Sequence, residues 1–182
     1  MNYRELAHQA VTAHLCRQDE TELAALLTLV AAEHPRLIVE IGCDVGGSLY
    51  AWRGLGARVV GVSLGPEDSQ WARVIDHGAT VIEGDSHDPA VQAKLAAELD
   101  GQAPDFFFID GDHSAAGCRQ DWELALKLGA RVAGFHDVSP YRLPGDPGVR
   151  AVFAEACKAY PSVMILNRAD DRNPGAGVVW LT

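Results

Sequence analysis

The chain has 182 residues, 48% of them hydrophobic, enough to bury one core of ordinary size but not two independent ones. A formal charge of −10, from 15 basic and 25 acidic residues, offers no basic face for a phosphate backbone, so no nucleic-acid partner is expected. No uncharged run reaches membrane-spanning length, the first twenty residues lack the apolar centre of a leader, and Cys16, Cys43, Cys118 and Cys157 show no paired spacing, so a cytoplasmic protein with reduced thiols and no membrane partner is expected.

In chain order, residues 3–16 and 21–33 read as two helices, the second with Leu23, Leu26, Leu27 and Val30 on one face, and Pro35 ends that region. Residues 1–35 are therefore read as a helical extension, serving as a lid or a homo-oligomer contact, ahead of one domain over 36–182. Short apolar runs then alternate with helical segments. Strands are expected at 37–41, 59–62, 80–82, 106–109, 132–135, 163–166 and 177–181, and helices at 47–54, 67–76, 88–99, 115–128 and 148–159. In the 115–128 helix, Cys118, Trp122, Ala125 and Leu126 mark the buried stripe. This alternation implies an α/β fold: a Rossmann-like, doubly wound, mostly parallel seven-stranded sheet with helices on both faces. Only the short polar segment 167–175 separates the last two strands, which suits a hairpin and puts an antiparallel strand near the C-terminal end.

Two features carry chemistry. EIGCDVGGS at 40–48 follows the first core strand and opens a helix, so that Gly42, Gly46 and Gly47 permit a tight turn close to a ligand. The position two after Gly42 is Asp44, where a pyrophosphate-binding turn would carry glycine. Glu40 and Asp44 suit a ligand with a cationic centre and a free amino group better than one with phosphates. The second feature is FFFIDGDHSAAGCRQDWELALKLGARVAGFHD at 106–137, a strand, a helix and a strand. A right-handed crossover makes the two strands parallel and sets both carboxyl ends on one edge, where Asp110, Asp112, His113, His136 and Asp137 are expected to converge. The plainer reading is that Asp112 or Ser114 caps the helix and His136 sits in the core.

Taken with EGDSHD at 83–88 and GFHD at 134–137, these stretches resemble class I S-adenosylmethionine-dependent methyltransferases. The nearest branch is that of small-molecule O-methyltransferases and cephalosporin-hydroxylase-like proteins. The resemblance spans roughly 36–182 and implies a methyltransferase domain there, acting on a hydroxyl of a small molecule such as a sugar or a natural product. It places Glu40, Gly42, Gly46 and Gly47 against the methionine portion of S-adenosylmethionine, and Asp85 and Ser86 beside the adenine. Asp110 falls at the reaction centre and also borders the cofactor, and His113 takes the place of a general base, its imidazole neutral near physiological pH. Relatives of this kind hold a divalent ion with acids at these strand ends. Here the set would be Asp110, His136 and Asp137, a mixed oxygen and nitrogen set open to magnesium or manganese. Asp110 and Asp137 would otherwise orient the acceptor hydroxyl.

Where the family presents an acid to the ribose hydroxyls, at the end of the second strand, this chain has Ser63, with Glu67 or Asp68 as the nearest substitutes. Tyr141 and Arg142, in the turn-rich segment 138–148, are candidates for acceptor contacts. Two rivals remain open: a non-catalytic cofactor- or partner-binding module on the same fold, and a nicotinamide-dependent oxidoreductase. The second is disfavoured by the glycine pattern broken at Asp44 and by the absence of a Tyr-x-x-x-Lys pair.

Overall fold

A computed structural model describes residues 1–65, 78–140, 148–167 and 174–182. The helix expected at 67–76, together with Glu67, Asp68, Tyr141 and Arg142, lies outside these described residues. Strands β1 (Leu37–Ile41), β2 (Arg58–Ser63), β3 (Thr80–Glu83), β4 (Phe106–Ile109), β5 (Val132–His136), β6 (Ser162–Ile165) and β7 (Ala176–Trp180) form one sheet in the order β3-β2-β1-β4-β5-β7-β6. Each neighbouring pair from β3 across to β5 is parallel, whereas β7 runs antiparallel to both β5 and β6. The expected hairpin is therefore present, one residue ahead of its expected strand limits. The order reverses at β1/β4, and in open α/β sheets ligands bind at the carboxyl ends of the strands at such a point.

The strands read as unbroken apolar runs because both sheet faces are covered. Ile38, Phe106, Phe108 and Val178 face a layer made by α1 (Tyr3–Thr12), α2 (Glu20–Ala32) and α3 (Gly47–Gly54). Leu37, Val39, Ile41, Phe107, Ile109 and Phe135 face α4 (Pro89–Leu99), α5 (Ala115–Lys127) and α6 (Gly148–Ala159). On the first face Trp52 of α3 meets the rings of Phe106 and Phe108 edge-on, each at 5.4 Å. Leu23, Leu26, Leu27 and Val30 are buried as the spacing of α2 requires.

Two local differences from expectation bear on function. Helix α1 ends at Thr12, four residues early. His14 N–H turns back to the Gln9 carbonyl, Leu15 takes φ 59°, and the chain crosses to the glycine loop. There, a Cβ on Gly47 would fall 2.3 Å from the Cys16 nitrogen, so this glycine makes room for the chain itself. In α5 the buried stripe holds Asp121 with Cys118, Trp122 and Ala125, while Leu126 is exposed. No described helix is long and apolar enough to cross a membrane.

Candidate active site

Asp110 stands one residue past β4, its N–H still bonded to the Ile41 carbonyl, and His136 closes the adjacent β5. Parallel pairing of the two strands aligns their ends, and Asp137 adopts φ 62°, a left-handed conformation uncommon outside glycine. Its carboxylate is thereby returned to the cluster. His136 Nδ1 lies 3.0 Å from Asp110 Oδ1, His113 Nε2 lies 3.3 Å from the same oxygen, and His113 Nδ1 lies 2.8 Å from Asp137 Oδ2. Gln18, brought in by the connector between α1 and α2, donates its amide to Asp110 Oδ2 at 3.4 Å.

Four of the five residues expected to converge do so; Asp112 does not. Its Oδ1 accepts the Ser114 N–H while Ser114 Oγ accepts the Gly117 N–H, so both serve the start of α5.

Electrostatics follow from this packing. Burial would raise the Asp110 pKa, but the charge of His136 and the hydrogen bonds from His113 and His136 outweigh it and hold the carboxyl at about 2. Hydrogen bonds to Asp110 and Asp137 push His113 up to about 10, against a smaller effect of burial. At neutral pH its imidazole is therefore cationic, contrary to the neutral form expected from sequence. Burial lowers His136, yet its pairing with Asp110 leaves it raised.

The three expected ion ligands are thus neighbours, but they face one another: His136 Nδ1 is spent on Asp110 and lies 3.8 Å from Asp137 Oδ1. Among the described residues no three His, Cys, Asp or Glu side chains are arranged to hold a metal ion.

Two cavities adjoin this cluster. The first, of about 510 Å³, lies between the connector, the glycine loop and the cluster, with Gln18, Gly42, Gly47, Asp110, His113 and Asp137 in its wall. The second, of about 450 Å³, is bounded by Ser63, Leu64, Asp85, Ser86, His87 and Asp112. Gly42, Asp44 and Asp110 belong to both, so the cavities meet over the glycine loop. A Cβ on Gly42 would fall 2.1 Å from the Asp110 carbonyl oxygen, which is how the loops after β1 and β4 come this close. Gly46 has φ 86° and occupies the N-cap of α3.

Glu40 lines neither cavity. It is fully buried, and burial pushes its carboxyl well up against the opposing effect of the Ser48 and Trp52 side chains beside it. The sequence reading also missed Gln18, His87 and Asp121. A polar residue on the apolar stripe of α5 was the available sign for Asp121, but Gln18 had none, because only the fold brings it 92 positions along the chain to Asp110.

A family described as a methyltransferase domain matches residues 39–138, more than half of the chain. No curated protein matches. Among solved structures, the methyltransferase MycE of mycinamycin biosynthesis, bound to Mg, SAH and mycinamycin VI, superposes with a TM-score of 0.69 at 15% identity. That match covers 99% of this chain and 54% of MycE, so the chain spans about half the length of that protein. TomG, an O-methyltransferase of tomaymycin synthesis from Streptomyces achromogenes in complex with SAM, gives 0.63 at 20% identity, covering 100% and 90% of the two chains. An O-methyltransferase from Bacillus cereus in complex with SAH gives 0.60 at 22%, covering 98% and 90%.

Proposed function

Because this chain belongs to a family of methyltransferase domains, we propose that it is an S-adenosylmethionine-dependent O-methyltransferase acting on a hydroxyl of a small molecule. The observation that carries this reading is the pair of cavities joined over Gly42, Asp44 and Asp110, with the His113 cluster opening into the first. An elongated ligand fits such a pair with its nucleoside in the second cavity and its amino-acid end under the connector. Asp44, Asp85, Asp110 and Asp112 lie along that path, Asp44 paired with Arg17 at 2.9 Å and Asp110 with His113 and His136, and this acidic lining suits a ligand with a positive sulfur and an ammonium better than a pyrophosphate. Gly42 and Gly47 would flank the methionine portion, Ser63 a ribose hydroxyl, and Asp85 and Ser86 the adenine. Bound there, the cofactor supplies a methyl group already activated on sulfur.

The chain's own task is to place the acceptor oxygen and take its proton. His113, with its side chain 48% exposed, is the base; both of its ring nitrogens face carboxylates, Asp110 and Asp137, so it takes the acceptor's proton only after it has lost its own and one of these two contacts has opened toward the acceptor. These carboxylates make it a strong base but keep it protonated at neutral pH. No step passes through a divalent ion, whose expected donors pair with one another. The connector at 13–19 acts as a cover over the acceptor, and four unpaired cysteines are consistent with a cytoplasmic setting.

The test is turnover with a hydroxylated acceptor panel, after thermal shift with S-adenosylhomocysteine has shown binding. Activity is expected to climb about tenfold per pH unit above neutrality and to level off near pH 10 in step with His113. His113→Ala should lose that climb while still binding S-adenosylhomocysteine. An unchanged pH profile in the variant removes His113 as base, and saturable binding with no turnover on any acceptor favours the non-catalytic module.

A further inference from the structure

Beneath the second cavity lies a buried acid with no part in the proposed proton transfer. Asp121 of α5 is 0% exposed, and its Oδ1 accepts a hydrogen bond from Ser86 Oγ at 2.7 Å. The same oxygen lies 3.2 Å from His87 Nε2. Its Oδ2 has no hydrogen-bond partner and sits under Gly111, where a Cβ would approach it to 3.2 Å. The loop above is held from other sides too: Gln92 Nε2 donates to the Ser86 carbonyl at 2.9 Å, and the His87 N–H donates to Asp85 Oδ1 at 2.9 Å.

Chemically, this anchoring has a direction. A serine hydroxyl owns one proton, and a carboxylate can only accept; burial raises the Asp121 carboxyl, while the Ser86 hydrogen bond and the neighbouring His87 act to keep it ionised. Once that proton points down to Asp121, Ser86 presents only lone pairs to the cavity, and Asp85 beside it is likewise an acceptor. Where these acceptors face the C6 substituent and not N1, they favour a purine carrying a 6-amino group, a donor, and reject one carrying a 6-oxo group, which would leave acceptor facing acceptor.

We propose that Asp121, without touching the ligand, is the positioning residue that sets base selectivity in the second cavity by polarising Ser86. The inference rests on the cofactor reading above and adds to it a residue that decides adenine over hypoxanthine.

The experiment is calorimetric titration of the whole protein with S-adenosylhomocysteine and with its deaminated analogue S-inosylhomocysteine, for wild type, Asp121→Asn and Ser86→Ala, with folding checked by circular dichroism. Wild type should prefer the adenine compound. Both variants should narrow the preference by about tenfold, the scale of one charge-assisted hydrogen bond. Ser86→Ala removes the same bond from the cavity side and keeps the test open if Asp121→Asn does not fold. Preference unchanged in folded variants overturns the inference, as does an equal weakening of both ligands, which marks a packing role. Binding of neither ligand to wild type overturns the cofactor reading, and this inference with it.

Discussion

Glu40 shows what a single burial does to a titratable group. Because its folded pKa stands well above the ordinary 4.5, the folded chain retains a proton that the unfolded chain releases above about pH 4.5. Stability contributed at this position therefore falls as pH rises through that window. Glu40→Gln keeps the shape and removes the proton exchange, so its melting temperature should exceed wild type at pH 8 and approach it at pH 4.5 in differential scanning fluorimetry. A variant no more stable at pH 8 would show that this carboxyl is not held neutral. Asp110 acts in the opposite sense: its contribution is present above pH 3.8 and lost as pH falls through about 2. That of His113 is present below 6.5 and lost as pH rises through about 10. Asp110 and His113 were legible as strand-end residues. The protonation of His113 was not, because beyond its bond to Asp110 it depends on Asp137, 24 positions away and turned back by a positive φ.

Among the elements, the central strands were the most legible, since continuous apolar runs of four or five residues bounded by turn formers suit only a strand buried on both faces. Their packing was less so. Gly134 reads as an ordinary small residue in β5, yet a Cβ there would fall 2.5 Å from the Phe106 ring and 2.7 Å from that of Phe108. Those rings are already fixed against Trp52, so they have little room to yield. Gly134→Ala is accordingly expected to lose about 1–3 kcal/mol by overpacking, measured by urea denaturation. A loss under about 0.5 kcal/mol, the range of neutral surface changes, would show that the ring stack adapts. The early end of α1 escaped sequence reasoning for a comparable reason: residues 13–16 keep helical composition, and the slot offered by Gly47 draws them away.

For the molecule as a whole, the helices within residues 1–35 form, with α3, one layer of the core. Leu6, Ala7, Leu23, Leu26 and Leu27 cover the sheet face that carries Ile38, Phe106 and Phe108. Glu22 ties this layer to the far end of the chain, accepting the Asn167 N–H at 2.8 Å and the Gly175 N–H at 3.0 Å. A chain starting at residue 36 should therefore lack cooperative unfolding and bind hydrophobic dye, because that face would meet water. A single cooperative transition in the truncated chain would instead mark the N-terminal helices as a dispensable appendage.

Local pattern alone determined the order and type of the described elements, the parallel sheet with its antiparallel hairpin, and the strand ends where titratable side chains gather, because apolar periodicity and turn formers act over a few neighbouring residues. Only the tertiary structure decided that Asp112 leaves the cluster, that Gln18 joins it, that His113 is cationic, that the ion ligands pair with one another, and that Asp121 fixes the loop of Ser86. Each of these depends on distance and burial between residues far apart in the chain, and Coulombic and desolvation energies have no value until the fold sets those two quantities.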